Sequence, residues 1–429
     1  MYNIKDYGAI ADSKIVNTEF IQKAIDECYK NGGGSVVIPS GEFVTGTIWL
    51  KDNVELHLEH GAVLKASTDM ADYNADDAYP QNFGSVSEQW TAKHLIVAHE
   101  VKNVAITGTG VINGSGDRFF GEAKKDLPWM TGYVWRQGFA RPKDLNVMRP
   151  GQMICFIECE NVRVENVTMI NCPCWTCFLY GCEYVQVRGV KVFNEQWASN
   201  TDGLDIDCCR YVTVSDCIIA TGDDCIAIRC SSKRLKKYRP CEYITVTNCV
   251  FASQACGIRF GVGQGEIRHV RVSNITVEHS GWAFLVQTRY GPNCEGYLDD
   301  INVSNVSGED VCSPFGVVAP VGAVTRVTFD NLRFNCIANA RITASGDGKI
   351  ADITVRNTDL YLKAEPNGVE FTEKRLDARG REVVRVENTE NVTLDGVRVF
   401  AADGALSKWD GSFCERNNRN LTVKNCVFP

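Results

Sequence analysis

Two acidic clusters stand 21 residues apart in the middle of the chain. The first is Asn200-Thr201-Asp202-Gly203-Leu204-Asp205 and the second Gly222-Asp223-Asp224-Cys225-Ile226. Each leads into apolar residues, so its carboxylates are expected at the mouths of buried strands. Carboxylates gathered at one place repel one another and lose hydration, which raises at least one pKa. Such a set can hold a protonated acid beside an ionised base at neutral pH. A carboxyl that donates to a leaving oxygen, with ionised partners that activate water, is the equipment of glycoside hydrolysis. In its inverting form acid and base stand roughly 6.5–9.5 Å apart. Two plainer readings compete. Clustered carboxylates bind hard cations such as calcium, and Asp is a common turn residue. Asp205, Asp207 and Asp216 read as turn fillers. Asp202, Asp223 and Asp224 together read as catalytic, with no metal and no cofactor.

A repeat would bring the two clusters together. Short alternating runs recur: NVRVEN from Asn161, YVQVRG from Tyr184, YVTVSD from Tyr211, YITVTN from Tyr243, HVRVSN from His269 and on to NLTVKN from Asn420. From Val162 their spacing is mostly 23 to 32 residues, with one step of 39. Apolar tetrads such as ICFI at 154, CFLY at 177, CIAI at 225 and FLVQ at 284 interleave with them. Each repeat therefore holds at least two short strands parted by Asn, Gly or Asp turns. Constant period without intervening helices predicts an all-β solenoid, a parallel β-helix, over a single domain 1–429. Its coils stack at about 4.8 Å, so the 21-residue step puts Asp202 beside Asp223–Asp224. The one helical period is Asn17–Lys30, with Phe20, Ile21, Ala24, Ile25 and Cys28 on one face. It is expected to cap the open edge of the first coil. Gly32-Gly33-Gly34 follows a helix and precedes a strand with no Gly-Lys-Ser/Thr after it, and so reads as a turn.

Composition narrows the partners. The 429 residues carry 45 basic and 53 acidic side chains, a net charge of −8. This argues against nucleic acid, which needs a basic face. No run of 18 apolar residues predicts a membrane span. The opening MYNIKDYGAI has neither a basic nor an apolar signal region, so the expectation is a cytoplasmic protein. Fourteen of the twenty cysteines lie between Cys155 and Cys256, several inside apolar runs. They read as small buried hydrophobes in a reducing compartment. CPCWTC, Cys172 to Cys177, matches no common zinc spacing.

At NTDG and GDD the sequence resembles glycoside hydrolase family 28, the polygalacturonase family. Both acidic motifs match in order and spacing, and Gly32 to Leu64 looks like the family's opening coils. The likeness covers roughly Tyr2 to Gly291, and beyond it the repeat pattern alone. The resemblance implies a right-handed β-helix enzyme that cleaves a glycan with inversion. It makes Asp223 the general acid, sets Asp202 and Asp224 to position and deprotonate water, and gives Asn200 the task of orienting Asp202 or the sugar. Two further motifs depart from the family. Ala255-Cys256-Gly257 stands where Gly-His-Gly is expected, and Leu285-Val286-Gln287 where Arg-Ile-Lys is. The basic pair that grips a galacturonate carboxylate is therefore missing, and Gln287 offers only a neutral hydrogen bond. Either Arg229, Arg259 or Arg289 replaces it, with the basic stretch Lys233–Arg239 lining the cleft or serving simply as a solvated surface connection, or the cleaved sugar is neutral. The balance favours a substrate other than plain homogalacturonan. Trp129, Trp135, Trp175, Trp197, Trp282 and Tyr290 are the available sugar platforms, each more commonly a packing residue. The irregular insert Gly116–Arg149 is long enough to wall off one end of the cleft and favour exo action. A uronate lyase or epimerase and a non-catalytic glycan-binding solenoid are the alternatives.

Overall fold

A computed structural model describes residues 1–122, 134–135, 148–291, 294–337, 339–363, 369–370, 381–407 and 409–429. Contacts divide the chain into two compact units. The first is Met1–Glu122, Ala140–Gly222 and Lys233–Arg239, and the second Ala123–Phe139, Asp223–Ser232 and Pro240–Pro429.

The first unit is built from three parallel ladders. One runs through Gly34–Ile38, Val54–Leu58, Lys102–Gly108, Glu160–Glu165, Glu183–Arg188 and Arg210–Ser215. A second runs through Ile48–Leu50, Ile96–His99, Ile154–Ile157, Cys177–Tyr180 and Leu204–Asp207. The third joins the short strands from Gly41–Thr45 to Ile218–Thr221. Register is kept by the alternation in the sequence. Val162, Val185 and Val212 pair in line, as do Val164, Val187 and Val214, and all six are buried. Slipping one residue would turn this whole row outward.

The turns explain the asparagines. Asn53, Asn103 and Asn161 each take a left-handed φ of 54 to 59°, which Asn tolerates better than most residues. Their amides chain across coils: Asn161 Nδ2 donates to Asn103 Oδ1, and Asn103 Nδ2 to Asn53 Oδ1, both at 2.8 Å.

The predicted helix is present as α1, Thr18–Lys30. Ile21, Ala24, Ile25 and Cys28 are buried on one face. Gln22 reaches the first coil, accepting from Trp49 N at 2.8 Å and donating to Trp49 O at 3.1 Å. The exposed backbone edge thus finds partners on the cap.

The second unit repeats the plan with two long ladders. One joins Ile226–Cys230, Cys256–Gly263, Trp282–Gln287, Ser313–Ala319, Ala340–Ala344, Glu382–Glu387 and Gly411–Arg416. The other joins Cys241–Ser253 through Glu266–Glu278, Tyr297–Val311, Ala323–Cys336, Lys349–Leu362 and Glu390–Ala401 to Arg419–Lys424. Phe260, Phe284, Phe315 and Phe329 are among its largest fully buried side chains.

All twenty cysteines are free thiols, and all but Cys294, Cys414 and Cys426 are buried. Cys159, Cys182 and Cys209 donate to the carbonyls of Ala98, Phe156 and Leu179 at 3.2–3.3 Å. The Cys172 thiol turns to Trp175 O at 3.4 Å. Among the described residues no helix is long and apolar enough to cross a membrane.

Candidate active site

In the first unit, the NTDG turn leads into the strand Leu204–Asp207. Asn200 adopts φ 55°. The carbonyls of Asp202 and Gly203 accept from Thr176 N and Cys177 N at 2.8 and 3.1 Å, which fixes the turn on the coil before it. Asn194 ties it from the side, donating to Thr176 Oγ1 at 2.8 Å and to Thr201 O at 3.1 Å. Thr201 Oγ1 donates to Ala198 O at 2.8 Å and accepts from Gly222 N at 3.1 Å. Asp202 is held buried, 5% exposed as a residue.

The strongest clamp on this turn is Arg149, which lies at the end of the expected wall and carried no signal of its own in the sequence. It is fully buried. Its Nη1 donates to Pro173 O at 2.7 Å and Ser199 O at 3.0 Å, and its Nη2 to Asn200 Oδ1 at 2.8 Å and Glu88 O at 3.1 Å. The guanidinium also lies 5.3 Å from the Phe120 ring centre. One planar fork thus joins four carbonyl groups from three chain segments, a task a lysine cannot do.

Asp205 and Asp207 correct an expectation. They are strand residues, not turn fillers, and both are buried. Leu204 and Ile206 supply the other side of that strand, so alternation puts the two aspartates on its outer face, beside Phe178 and Tyr180 of the previous coil. Asp216, with φ 59°, does occupy a turn.

That outer face is roofed. Residues 67–95 leave the coil after Ala62–Ala66 and return at Ile96–His99. They lay Phe83 and Trp90 over Trp175 and Phe178, with ring centres 5.2 Å apart for Phe83–Trp90 and 5.5 Å for both Trp90–Trp175 and Trp175–Phe178. His94 belongs to the same cover. Burial pushes its pKa down to about 4, and Nδ1 donates to Gln152 O at 2.8 Å. The basic stretch Lys233–Arg239 crosses here as a surface connection, with Lys233, Arg234, Lys236 and Lys237 exposed. Arg234 stands 5.0 Å from the Phe83 ring centre and donates to Asn82 O, while Arg239 donates to Gly181 O at 2.7 Å. Lys236 pairs with Glu100. Of the insert Gly116–Arg149, residues 123–133 and 136–147 lie outside the described residues. So does Trp129, and Trp135 is described only as backbone paired with Val369. Trp197 packs edge-on against Phe120.

In the second unit, Asp223 is half-buried and Asp224 is 3% exposed. Asp223 O accepts from Ser253 Oγ at 2.5 Å, and Asp223 Oδ1 from Asp224 N at 3.1 Å. Arg259, one coil on, grips Asp224 with two donors: Nε to Oδ2, and Nη2 to Oδ1 at 3.0 Å. The carboxylate holds the guanidinium in its charged form despite burial. Cys256 is fully buried beneath this pair, and burial pushes its thiol pKa well up. It packs with Trp282, Leu285 and Val318. Its place is under the acidic face, not on a sugar-contacting surface as expected, because its short side chain ends within this apolar cluster. Gln287 is half-buried, and its Nε2 has no partner among the described residues. Arg229 is half-buried at a register shift opposite Val262. Arg289 and Tyr290 are exposed.

Gly222 joins the two motifs in the chain, and only glycine fits there. A Cβ would lie 2.0 Å from Ala198 O and 2.8 Å from Glu195 O. Gly222→Ala is therefore expected to displace the following aspartates. We expect kcat to fall about 10²-fold, the usual consequence of misplacing a reacting group by about 1 Å, with the far-ultraviolet β spectrum retained. Wild-type turnover in this variant would show that the close approach does not set the motif.

The model for glycosyl hydrolases family 28 matches residues 28–320. The chain belongs to this family. Among curated relatives of family 28 type, a probable polygalacturonase of Vitis vinifera is 24% identical over 336 residues, covering 69% of this chain and 65% of that protein. An exo-poly-alpha-D-galacturonosidase of Dickeya chrysanthemi is 30% identical over 254 residues, covering 52% of this chain and 41% of that protein. The chain thus spans less than two thirds of the length of these relatives. A family 28 exopolygalacturonase of Yersinia enterocolitica superposes with a TM-score of 0.71 at 18% identity, covering 99% of this chain and 77% of that one. A hyperthermoactive exopolygalacturonase of Thermotoga maritima gives 0.65 at 23% identity, covering 98% and 91%. These structural likenesses establish the parallel β-helix fold.

Proposed function

We propose that residues 1–429 form one catalytic β-helix, an inverting, exo-acting glycosidase on oligosaccharides of plant cell-wall type. The observation that carries this reading is the bond from Gly222 N to Thr201 Oγ1. The next residue after Thr201 is Asp202 and the next after Gly222 is Asp223. The 21-residue step from Asp202 to Asp223, close to one coil, supports reading the two sets of carboxylates as one catalytic group. In this reading Asp223 protonates the leaving oxygen, and Asp202 with Asp224 activates water on the opposite side of the ring. Asn200, held by Arg149, keeps Asp202 aimed.

Exo action rests on the roof. Phe83, Trp90 and Arg234 close over the outer face of the coils that precede Leu204–Asp207. A long polymer has no continuous path along that face, so a chain end enters. Substrate choice rests on what replaced the uronate grip. Leu285 is packed with Cys256 and Trp282, and Gln287 is neutral. We read the sugar at the cleaved position as uncharged, at the end of a pectin-type oligosaccharide. The names of the relatives point to galacturonides, so this is where the chain departs from them. Free, buried thiols suit a reducing compartment, in keeping with a cytoplasmic enzyme that trims short oligosaccharides.

The test is a panel of α-linked oligosaccharides with neutral or galacturonate ends, followed by proton NMR. We expect single terminal sugars from the first time points, released as the inverted anomer and faster from neutral ends. The retained anomer overturns the mechanism, and internal cleavage overturns the exo assignment. An ultraviolet-absorbing unsaturated product, or loss of turnover in a chelator, would indicate a lyase. Glycan binding without new reducing ends would indicate a non-catalytic solenoid.

A further inference from the structure

We infer that Arg259 is a positioning residue for Asp224, taken out of substrate binding by that task. The inference rests on the proposed glycosidase reading and assigns this arginine a role within it. Two donors of one guanidinium meet the two oxygens of one carboxylate, the bidentate geometry that fixes both distance and plane. Arg259 is 13% and Asp224 5% exposed at the side chain, so water competes little for either group. The other side of the guanidinium is closed as well. Tyr290 lies with its ring centre 5.5 Å away, and Cys256, three residues before Arg259 on the same strand, is fully buried.

Tyr290 is 47% exposed beside the largely buried Arg259–Asp224 pair. A sugar arriving here meets an aromatic ring before it meets the cation. CH faces of a sugar pack on such a ring, whereas a uronate carboxylate would have to break the Asp224 pair to reach the guanidinium. Backbone register supports a fixed position. Arg259 pairs with Ala227 on one side and Leu285 on the other, in the middle of a continuous ladder. Leu285, opposite Arg259 in the ladder, and Cys256, on the same strand, offer the guanidinium no competing carboxylate.

The experiment compares wild type, Arg259→Gln and Arg259→Lys on one neutral-ended and one galacturonate-ended oligosaccharide. For Arg259→Gln we expect kcat to fall about 10²-fold on both substrates, with KM within about twofold of wild type. Arg259→Lys should recover part of the loss, since it restores charge without the fork. Added guanidinium should raise turnover of Arg259→Ala. A KM that rises tenfold on the galacturonate-ended substrate alone, with kcat kept, overturns the inference and makes Arg259 a uronate clamp. The pair is also read without turnover, from the Nε–H resonance of Arg259 in arginine-labelled protein. It should exchange slowly in wild type and fast in Asp224→Asn. Fast exchange in wild type overturns the inference directly. A wild type that cleaves nothing but keeps the slow resonance refutes the glycosidase reading and leaves the pairing standing.

Discussion

Asp223→Asn should lower kcat by about 10³-fold, within the usual contribution of a positioned general acid, and leave the fold intact. The choice of Asp223 over its neighbours follows from what holds each carboxylate. Asp224 is tied through both oxygens to Arg259. Asp202 is nearly buried on a turn whose carbonyl is spent on Thr176. Asp223 is the more exposed member, and its backbone is anchored by Ser253. Its greater exposure lets it meet a glycosidic oxygen while its backbone stays fixed. Asparagine keeps the size and the acceptor toward Asp224 N, so the urea midpoint should be that of wild type. The role separates from mere damage by leaving group. An aryl glycoside with an acidic phenol needs little protonation, so the deficit of Asp223→Asn should shrink to tenfold or less on it. An equal deficit on both substrates would mean that Asp223 is not the proton donor.

The parts of this molecule that sequence reading reached are those written at short range. Val162, Val185 and Val212 announce a rung each because alternation and coil length are local properties. The amphipathic face of α1 and the burial of the cysteines are legible for the same reason. The Asp202 and Asp223–Asp224 motifs stand out because the 21 residues from Asp202 to Asp223 are close to one repeat. What was not legible depends on contacts between distant segments. Arg149 reaches Glu88 and Asn200, 61 and 51 residues away, and nothing around it in the sequence marks it. The stretch 67–95 did leave a signal, since nearly thirty residues without alternation, carrying Tyr73, Tyr79, Phe83 and Trp90, exceed an ordinary coil loop. Gly116–Arg149 gives the same signal of length, and most of it lies outside the described residues. Lys233–Arg239 carries no record of its partners, since Arg234 reaches Asn82 and Lys236 reaches Glu100, 152 and 136 residues away. Asp205 and Asp207 misled because a roofed strand face can bury aspartates that a solvent-facing strand would expose.

Arg149 is where these long-range contacts meet, and Arg149→Met should be the most disruptive single change in the first unit. Methionine keeps much of the apolar volume but none of the donors. The carbonyls of Pro173, Ser199 and Glu88 and the Asn200 amide oxygen would lose their shared partner at once. Each buried acceptor left unmade costs about 1–3 kcal/mol. Partial rescue by relaxation and water brings the expected total to about 3–5 kcal/mol, comparable to breaking a buried charged network. The urea transition of the first unit should move down accordingly. Turnover should fall further than stability, because the NTDG turn loses the contact that fixes Asn200 while Thr176 and Asn194 still hold its neighbours. The turn would then sample positions that are folded but misaligned, and an error of about 1 Å there costs about 10²-fold. Arg149→Lys isolates the fork from the charge. It should keep part of the stability through one or two carbonyl bonds and recover little activity, since one ammonium cannot span four acceptors. Native midpoint and native turnover in Arg149→Met would show that the surrounding backbone, and not the guanidinium, holds the catalytic turn in place.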